Sequence, residues 1–69
     1  MAGALVIAMV KMTDTTFLIE FRTPDLGARS VIASRVEVRG EHLLLFNSEG
    51  QLAEAFMLEN VKSWSELSV

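Results

Sequence analysis

The chain has no cysteine and no tyrosine, and it contains a single histidine, a single proline and a single tryptophan. Without cysteine it can form no disulfide bond, no thiolate zinc site and no thiol nucleophile. His42 is therefore the lone candidate for histidine-based metal or acid–base chemistry. On a strand, its side chain and that of the adjacent Glu41 would point to opposite faces and share no ligand geometry.

The glycines are equally sparse, with isolated residues at positions 3, 27, 40 and 50. This spacing excludes the glycine-rich loops that bind phosphate groups and the G-x-S-x-G turn that presents a serine nucleophile. We therefore expect no cofactor, no bound metal and no enzymatic activity.

Apolar residues, by contrast, are abundant for so short a chain. They make up 51% of the 69 residues before glycine is counted, whereas an average globular chain has roughly 45–50% with glycine included. A single small domain spanning residues 1–69 buries only about 60% of the surface of its unfolded chain. The excess predicts exposed apolar patches and, from them, association with another molecule.

Charge is distributed unevenly around a net value of −3. Residues 1–39 carry five basic and four acidic side chains, whereas residues 40–69 carry Lys62 against five glutamates. The second half is thus acidic and suits either a solvated surface or a basic partner.

Period-two alternation of apolar and polar residues predicts a mainly β fold: a single antiparallel sheet of five to six strands, arranged as a meander, a small sandwich or an open barrel. Phe17, Ile19 and Phe21 mark the core face of one strand. We expect turns at residues 13–15, at residues 23–27 and at 47–50, where asparagine and glycine occupy the favoured positions.

Residues 31–39 alternate again, with Ile32, Ser34, Val36 and Val38 on one face and Arg35, Glu37 and Arg39 on the other. Two later positions leave alternatives open. Glu54 falls on an apolar face unless a bulge shifts the register, and we expect it at a rim or paired with an arginine. Residues 60–68 fit either a short helix near the C-terminus or a strand, and the strand after a turn at 59–62 is favoured.

Residues 4–10 read ALVIAMV and are apolar on both faces of a strand. The β-branched residues favour a strand over a helix within residues 1–12, and the run is far shorter than the ~20 residues that span a bilayer. We expect no membrane association and a cytoplasmic location. Such a strand must be central in the sheet or pair with its counterpart in a second subunit. The predicted oligomer interface consists of Leu5, Val6, Ile7, Met9, Val10 and Trp64.

Residues 36–43, VEVRGEHL, resemble the strand–Arg–Gly–strand element of the Sm-like small β-barrels that bind RNA. The resemblance covers only these eight residues. The acidic balance and the lack of a basic stripe interleaved with aromatic residues argue against nucleic-acid binding.

The region 31–67, with two hairpins and the closing run LENVKSW at 58–64, resembles small bacterial proteins of the kind carried on mobile, integron-type gene cassettes. That group has no assigned activity, so the resemblance implies no functional residue.

These observations favour a homo-oligomeric, non-enzymatic binding module, a dimer or tetramer that holds a protein or small-molecule ligand at a subunit seam. The candidate polar residues of such a site are His42, Glu54, Arg35 and Arg39. Two other classes stay open: a small-molecule enzyme or sensor with its site at the seam, and an acidic, antitoxin-like or immunity-like inhibitor of a basic protein.

Overall fold

Five strands and one 3-10 turn make up the described part of the protein, residues 5–67 of a computed structural model in which the side chains of Leu5, Val6 and Ala8 are not described. The elements are β1 (Leu5–Phe21), β2 (Ala28–Arg39), β3 (His42–Phe46), β4 (Leu52–Met57), the 3-10 turn Leu58–Asn60 and β5 (Val61–Glu66). They form one antiparallel sheet in the order β4-β3-β2-β1-β5. The predicted fold class is confirmed.

Strand β1 is continuous where the sequence predicts two strands and a turn at residues 13–15, so that prediction is wrong. Val10 pairs with Arg35 and Thr15 pairs with Ala33, so β1 carries three more residues than β2 between these positions. The Asp14 carboxylate in this bulge accepts hydrogen bonds from the Ser48 amide (2.8 Å) and hydroxyl (3.3 Å). The polar residues bulge rather than turn because β2 is long enough to pair on both sides of them.

Opposite this bulge, β2 changes which alternate residues face inward. Val31 and Ala33 are buried, whereas Ile32 is 65% exposed. Ser34 and Val36 are buried, so the predicted alternation that groups Ile32 with them on one face is wrong. The two halves of β2 therefore follow separate alternation patterns, a change that a single strict period of two cannot represent.

The core lies on one face of the sheet and draws on all strands except β4. Its buried apolar residues are Phe17, Ile19, Val31, Ala33, Val36, Leu43, Leu45 and Val61. Phe56 of β4 packs against them from the rim. The tight turns between strands use positive φ angles at Gly40 (58°) and Gly50 (83°), which glycine adopts without steric cost.

The tail is a strand rather than a helix. The 3-10 turn is fastened by the Leu58 amide, which donates to the Glu41 carbonyl (2.7 Å), and by the Asn60 carbonyl, which accepts from the Arg22 amide (3.0 Å). Strand β5 then pairs with β1, and Trp64 lies opposite Ile19. Trp64 is half-buried and packs against the core.

Besides the outer edges of the terminal strands β4 and β5, two stretches of the long strands are paired on one side only within residues 5–67. Strand β5 pairs with β1 at residues 17–21, which leaves the first half of β1 with β2 as its single neighbour within residues 5–67. Strand β3 pairs with β2 at residues 35–39, so residues 28–34 of β2 have β1 as their single neighbour in the same described part. We call them the N-terminal β1 edge and the N-terminal β2 edge, and each is a place where a further strand can be added.

Leu43→Ala should lower the free energy of unfolding by about 2–5 kcal/mol, because Leu43 is fully buried and its loss leaves a cavity. Urea denaturation followed by Trp64 fluorescence, at one fixed protein concentration, measures the change. The matched control is Leu26→Ala, a 58% exposed leucine in the turn after β1, which should change the free energy by no more than about 0.5 kcal/mol. Equal losses in both variants would contradict this assignment of the core.

Candidate functional site

The face of the sheet that is turned away from the core is itself rich in apolar side chains. Directly opposed residues on neighbouring strands share a face, which places three rows of side chains together across β1 to β4. This outer face comprises Val10, Arg35, Phe46 and Leu52, then Ile7, Glu37, Leu44 and Ala55, and then Arg39, His42 and Met57. Four of its apolar residues, Ile7, Val10, Leu52 and Met57, are 38–63% exposed.

A buried charge lies at the centre of the outer face. Glu37 is only 2% exposed although it points away from the core, because Ile7 and Leu44 flank it across the strands. Arg35 Nη2 lies 3.1 Å from Glu37 Oε2, and Arg39 Nη2 lies 3.9 Å from Oε1. The three side chains follow each other at every second residue of β2 and form an Arg–Glu–Arg row.

The row is ion-paired without being fully hydrogen-bonded. The 3.1 Å contact between Arg35 and Glu37 lacks hydrogen-bond geometry, and among the described residues neither Arg35 Nε nor Glu37 Oε2 has a hydrogen-bond partner. The Arg35 guanidinium carbon lies 4.5 Å from the centre of the Phe46 ring, a cation–π contact. Arg35 is thus fixed by a carboxylate and an aromatic face, while Arg39 is the more exposed arginine.

The structure brings together three of the four candidate polar residues and separates the fourth. Arg35, Arg39 and an exposed His42 share the outer face, and His42 lies directly opposite Arg39. Glu54 pairs with Leu45, a core residue, and therefore belongs to the other face of the sheet. Within one chain, His42 and Glu54 therefore share no acid–base site.

Glu54 instead forms an ion pair that spans the gap between β4 and β2. Its Oε1 lies 3.1 Å from Arg29 Nη2, the arginine pairing that the sequence favours. The Arg29 guanidinium carbon lies 6.0 Å from the centre of the Phe56 ring, and Phe56 meets Phe21 edge-on at 5.4 Å. From the sequence, Arg29 is not selected as a site residue. The signal that could have identified it is its position two residues before the buried Val31, which places both side chains on the core face.

Two shallow grooves flank these clusters. One has a volume of about 290 Å³ and is lined by Arg22, Gly40, Glu41, Leu58 and Glu59. The other has about 320 Å³ and lies between the N-terminal β2 edge and β4, lined by residues 29–32 with Ala53 and Glu54. Both are at the lower end of the roughly 300–1,000 Å³ typical of small-molecule sites.

Residues 5–67 contain no group of three or more histidine, aspartate or glutamate side chains arranged to hold a metal ion. The same residues include no helix that is long and apolar enough to cross a membrane.

The predicted interface residues differ in their surroundings. Ile7 and Val10 are 51% and 63% exposed on the outer face. Met9 and Trp64 pack against the core as partly buried side chains. The side chains of Leu5 and Val6 lie outside the part of the structure that is described.

Comparisons of the chain with protein-family models, curated proteins and solved structures find no match. The resemblance of residues 31–67 to cassette-borne proteins therefore stays a prediction.

Removing Arg35 alone from the Arg–Glu–Arg row should destabilise the protein more than removing the charges of Arg35 and Glu37 together. Arg35→Ala leaves the Glu37 carboxylate buried without its nearest cation, so we expect a loss of about 3 kcal/mol in the free energy of unfolding. Combining Arg35→Met with Glu37→Leu removes the buried charge and should restore or exceed the wild-type value. Urea denaturation of both variants measures this, and equal losses would contradict the burial of an ion pair.

Another ion pair fastens the bulge of β1 to the end of β5. Lys11 Nζ lies 3.0 Å from Glu66 Oε1, and the Thr15 hydroxyl donates to Glu66 Oε2 (3.1 Å). The hydrogen bond from Lys11 lowers the pKa of Glu66 below its ordinary value, against the opposing effect of desolvation. The ionised carboxylate is thus favoured in the folded protein.

Because the folded-state pKa of Glu66 is depressed, its stabilising contribution is fully present above the unfolded-state pKa. It is lost as the pH falls through the folded-state pKa. We expect wild-type protein to lose stability between about pH 5 and pH 3 to a greater extent than the Glu66→Gln variant. In Lys11→Met, an NMR titration should show the Glu66 pKa moving up towards its ordinary value, and an unchanged pKa would contradict the pairing.

Proposed function

We propose that the protein is a non-enzymatic interaction module that assembles with a second copy of itself through the N-terminal β1 edge. The observation that carries this proposal is the combination, at one place, of an unpaired strand edge and exposed apolar side chains. Residues 5–10 have a partner strand on one side only within the described chain. Ile7 and Val10, on the adjoining outer face, are more than half exposed.

The composition of this edge supports pairing with another strand. Exposed edges of native sheets are normally blocked by charged residues, by proline or by a very short strand. Residues 5–10 carry no charge and no proline, and the first charged side chain of the chain is Lys11. Strand β1 has 17 residues, about three times the usual length of a strand. A second copy supplies the missing neighbour.

A two-fold axis gives this assembly a closed form. If the edges of two copies pair antiparallel, each strand offers the other the same surface, and the assembly stops at a dimer unless a further surface is used. A standard interface takes about 800 Å² from each partner, which is about a sixth of the 4714 Å² accessible surface of one chain. Burying Ile7 and Val10 there would contribute the hydrophobic stabilisation that a core of this size supplies only in part.

The seam also suggests where a ligand binds. Arg35 lies next to Val10 in its row, and Glu37 lies next to Ile7 in the following row. Pairing of two β1 edges brings the outer faces of both copies side by side, so that Arg35, Arg39 and His42 of each copy border one continuous surface. A protein or small-molecule ligand with anionic groups would be complementary to these cations.

The separation of His42 from Glu54 supports binding rather than catalysis as the role of this surface. An acid–base pair requires two groups within hydrogen-bond reach of one reacting atom, and these two lie on opposite faces of the sheet. The seam is therefore proposed as a recognition surface.

Light scattering coupled to size-exclusion chromatography, over a wide range of concentrations, tests the assembly. Wild-type protein should elute with at least twice the 7.6 kDa mass of one chain, and Val10→Asp should reduce it to a single-chain mass, because a carboxylate would have to be desolvated in the seam.

The matched control is Ile32→Asp, which places the same charge at an equally exposed position of the sheet, since Ile32 is 65% and Val10 63% exposed. It should leave the mass of the assembly unchanged. A wild-type protein that is monomeric at every concentration, or a folded Val10→Asp variant that remains assembled, would overturn the proposal.

A further inference from the structure

The N-terminal β2 edge, residues 28–34, is a second open edge, and it differs from the first because a groove runs beside it. The groove of about 320 Å³ is bordered by residues 29–32 on one side and by Ala53 and Glu54 on the other. Among the described residues, β3 reaches β2 only from Arg35 onward. The segment is therefore an exposed strand edge within a single subunit, away from the proposed β1 seam.

The direction of the free backbone groups follows from the hydrogen bonds of β1. In an antiparallel strand, the amide and carbonyl groups of one residue point to the same side, and successive residues alternate. The Phe21 amide donates to the Gly27 carbonyl (3.0 Å), next to β2, whereas the Thr16 carbonyl accepts from the Leu67 amide (2.8 Å), beyond β5. Odd-numbered residues of this half of β1 thus face β2.

The same alternation can be carried across to β2. Phe17 is opposite Val31 and Ile19 is opposite Arg29, so Val31 and Arg29 direct their backbone groups to β1. The intervening Ser30, and Ile32 beyond, direct their amide and carbonyl groups the other way, towards the groove. No strand in the described part of the chain meets them there.

We propose that this edge and its groove bind an extended peptide segment of a partner protein by adding it as a further strand. Backbone groups in the plane of a sheet are satisfied by another strand, and strand addition to a free edge is a general mode of peptide recognition. Residues 28–34 contain no proline, and neither of the two residues whose backbone groups face the groove, Ser30 and Ile32, is charged. Nothing at these two positions therefore blocks such pairing.

The side chains of the edge specify the sequence of the partner strand. Ile32 is 65% exposed and would favour an apolar, β-branched residue opposite it. Arg29, whose side chain is 58% exposed, is the cation at the groove, where it pairs with Glu54 and lies over the Phe56 ring. A carboxylate on the added strand opposite Arg29 would share this guanidinium. The expected ligand is an extended peptide with an apolar residue and, three residues away, an acidic one.

A phage-displayed library of random dodecapeptides, selected on the wild-type protein, is the direct test. Peptides with this apolar-to-acidic spacing should be enriched, and a synthetic consensus peptide should bind in a fluorescence anisotropy assay. Ser30→Pro removes the amide that faces the groove without removing a hydrogen bond to β1, and should weaken binding about tenfold. N-methylation of the peptide amide opposite Ser30 should weaken it similarly, which keeps the test valid should Ser30→Pro fail to fold.

Exchanging the charges of the Arg29–Glu54 ion pair tests the specificity of peptide binding. The double variant Arg29→Glu with Glu54→Arg retains an ion pair across the gap but reverses the charge presented at the β2 edge. It should reject the acidic consensus peptide and accept the peptide in which lysine replaces the acidic residue. If the Arg29–Glu54 ion pair only stabilised the fold, the exchange would not reverse the preference for acidic over basic peptides.

Two single variants, Val10→Asp and Ile32→Asp, separate assembly from peptide binding. Val10→Asp should lose assembly and keep peptide binding, whereas Ile32→Asp should keep assembly and lose binding of the acidic peptide. Failure to enrich any peptide, or a consensus peptide indifferent to Ser30→Pro, to N-methylation and to the charge exchange, would overturn the inference. An Ile32→Asp variant that dissociates would also overturn it, because a second copy would then occupy this edge.

Discussion

The antiparallel pairing of β1 with β2 is the constraint on which the rest of the structure depends. The register runs from Leu5 opposite Arg39 to Glu20 opposite Ala28, so these two long strands form the central pair of the sheet. Strands β3 and β5 each pair with only part of this ladder. Within residues 5–67, a long central pair flanked by short strands leaves half of each long strand without an outer neighbour. These two one-sided stretches are a consequence of strand lengths, and they add to the outer edges of β4 and β5.

The outer face shows how the protein combines apolar surface with charge. The core occupies one side of the sheet, and the apolar residues that do not fit there, such as Ile7 and Val10, lie on the other. Beside them on β2, the Arg–Glu–Arg row places a buried carboxylate against two arginines. Buried ion pairs contribute little net stability, and removing one partner leaves a charge unpaired. We therefore expect the row to penalise misaligned partners more than it adds stability.

Much of the fold follows from local patterns, and the parts that do not are those decided by pairing between distant residues. Alternation at Phe17 and Ile19 and the turn before Gly50 predict the strands and hairpin correctly, because each depends on a few neighbouring residues. The polar residues around Asp14 have the composition of a turn, yet their hydrogen bonds are made with Ser48, which is 34 positions away in the sequence. The exposure of Ile32 likewise results from a change in alternation opposite that bulge. In the candidate site, Arg35 and Arg39 are identified from the sequence. The Arg29–Glu54 ion pair is not, because the partner of Arg29 lies on another strand.

Hydrogen exchange of the backbone amides, measured by NMR as a function of protein concentration, tests whether the N-terminal β1 edge pairs with a second copy. Amides that face an unpaired edge exchange rapidly, and pairing with another strand protects them. We expect alternate amides within residues 5–10 to gain protection in step with assembly, while the amides of Ser30 and Ile32 stay unprotected until peptide is added. Full protection of residues 5–10 in the isolated single chain, or none in the assembled protein, would contradict pairing at this edge.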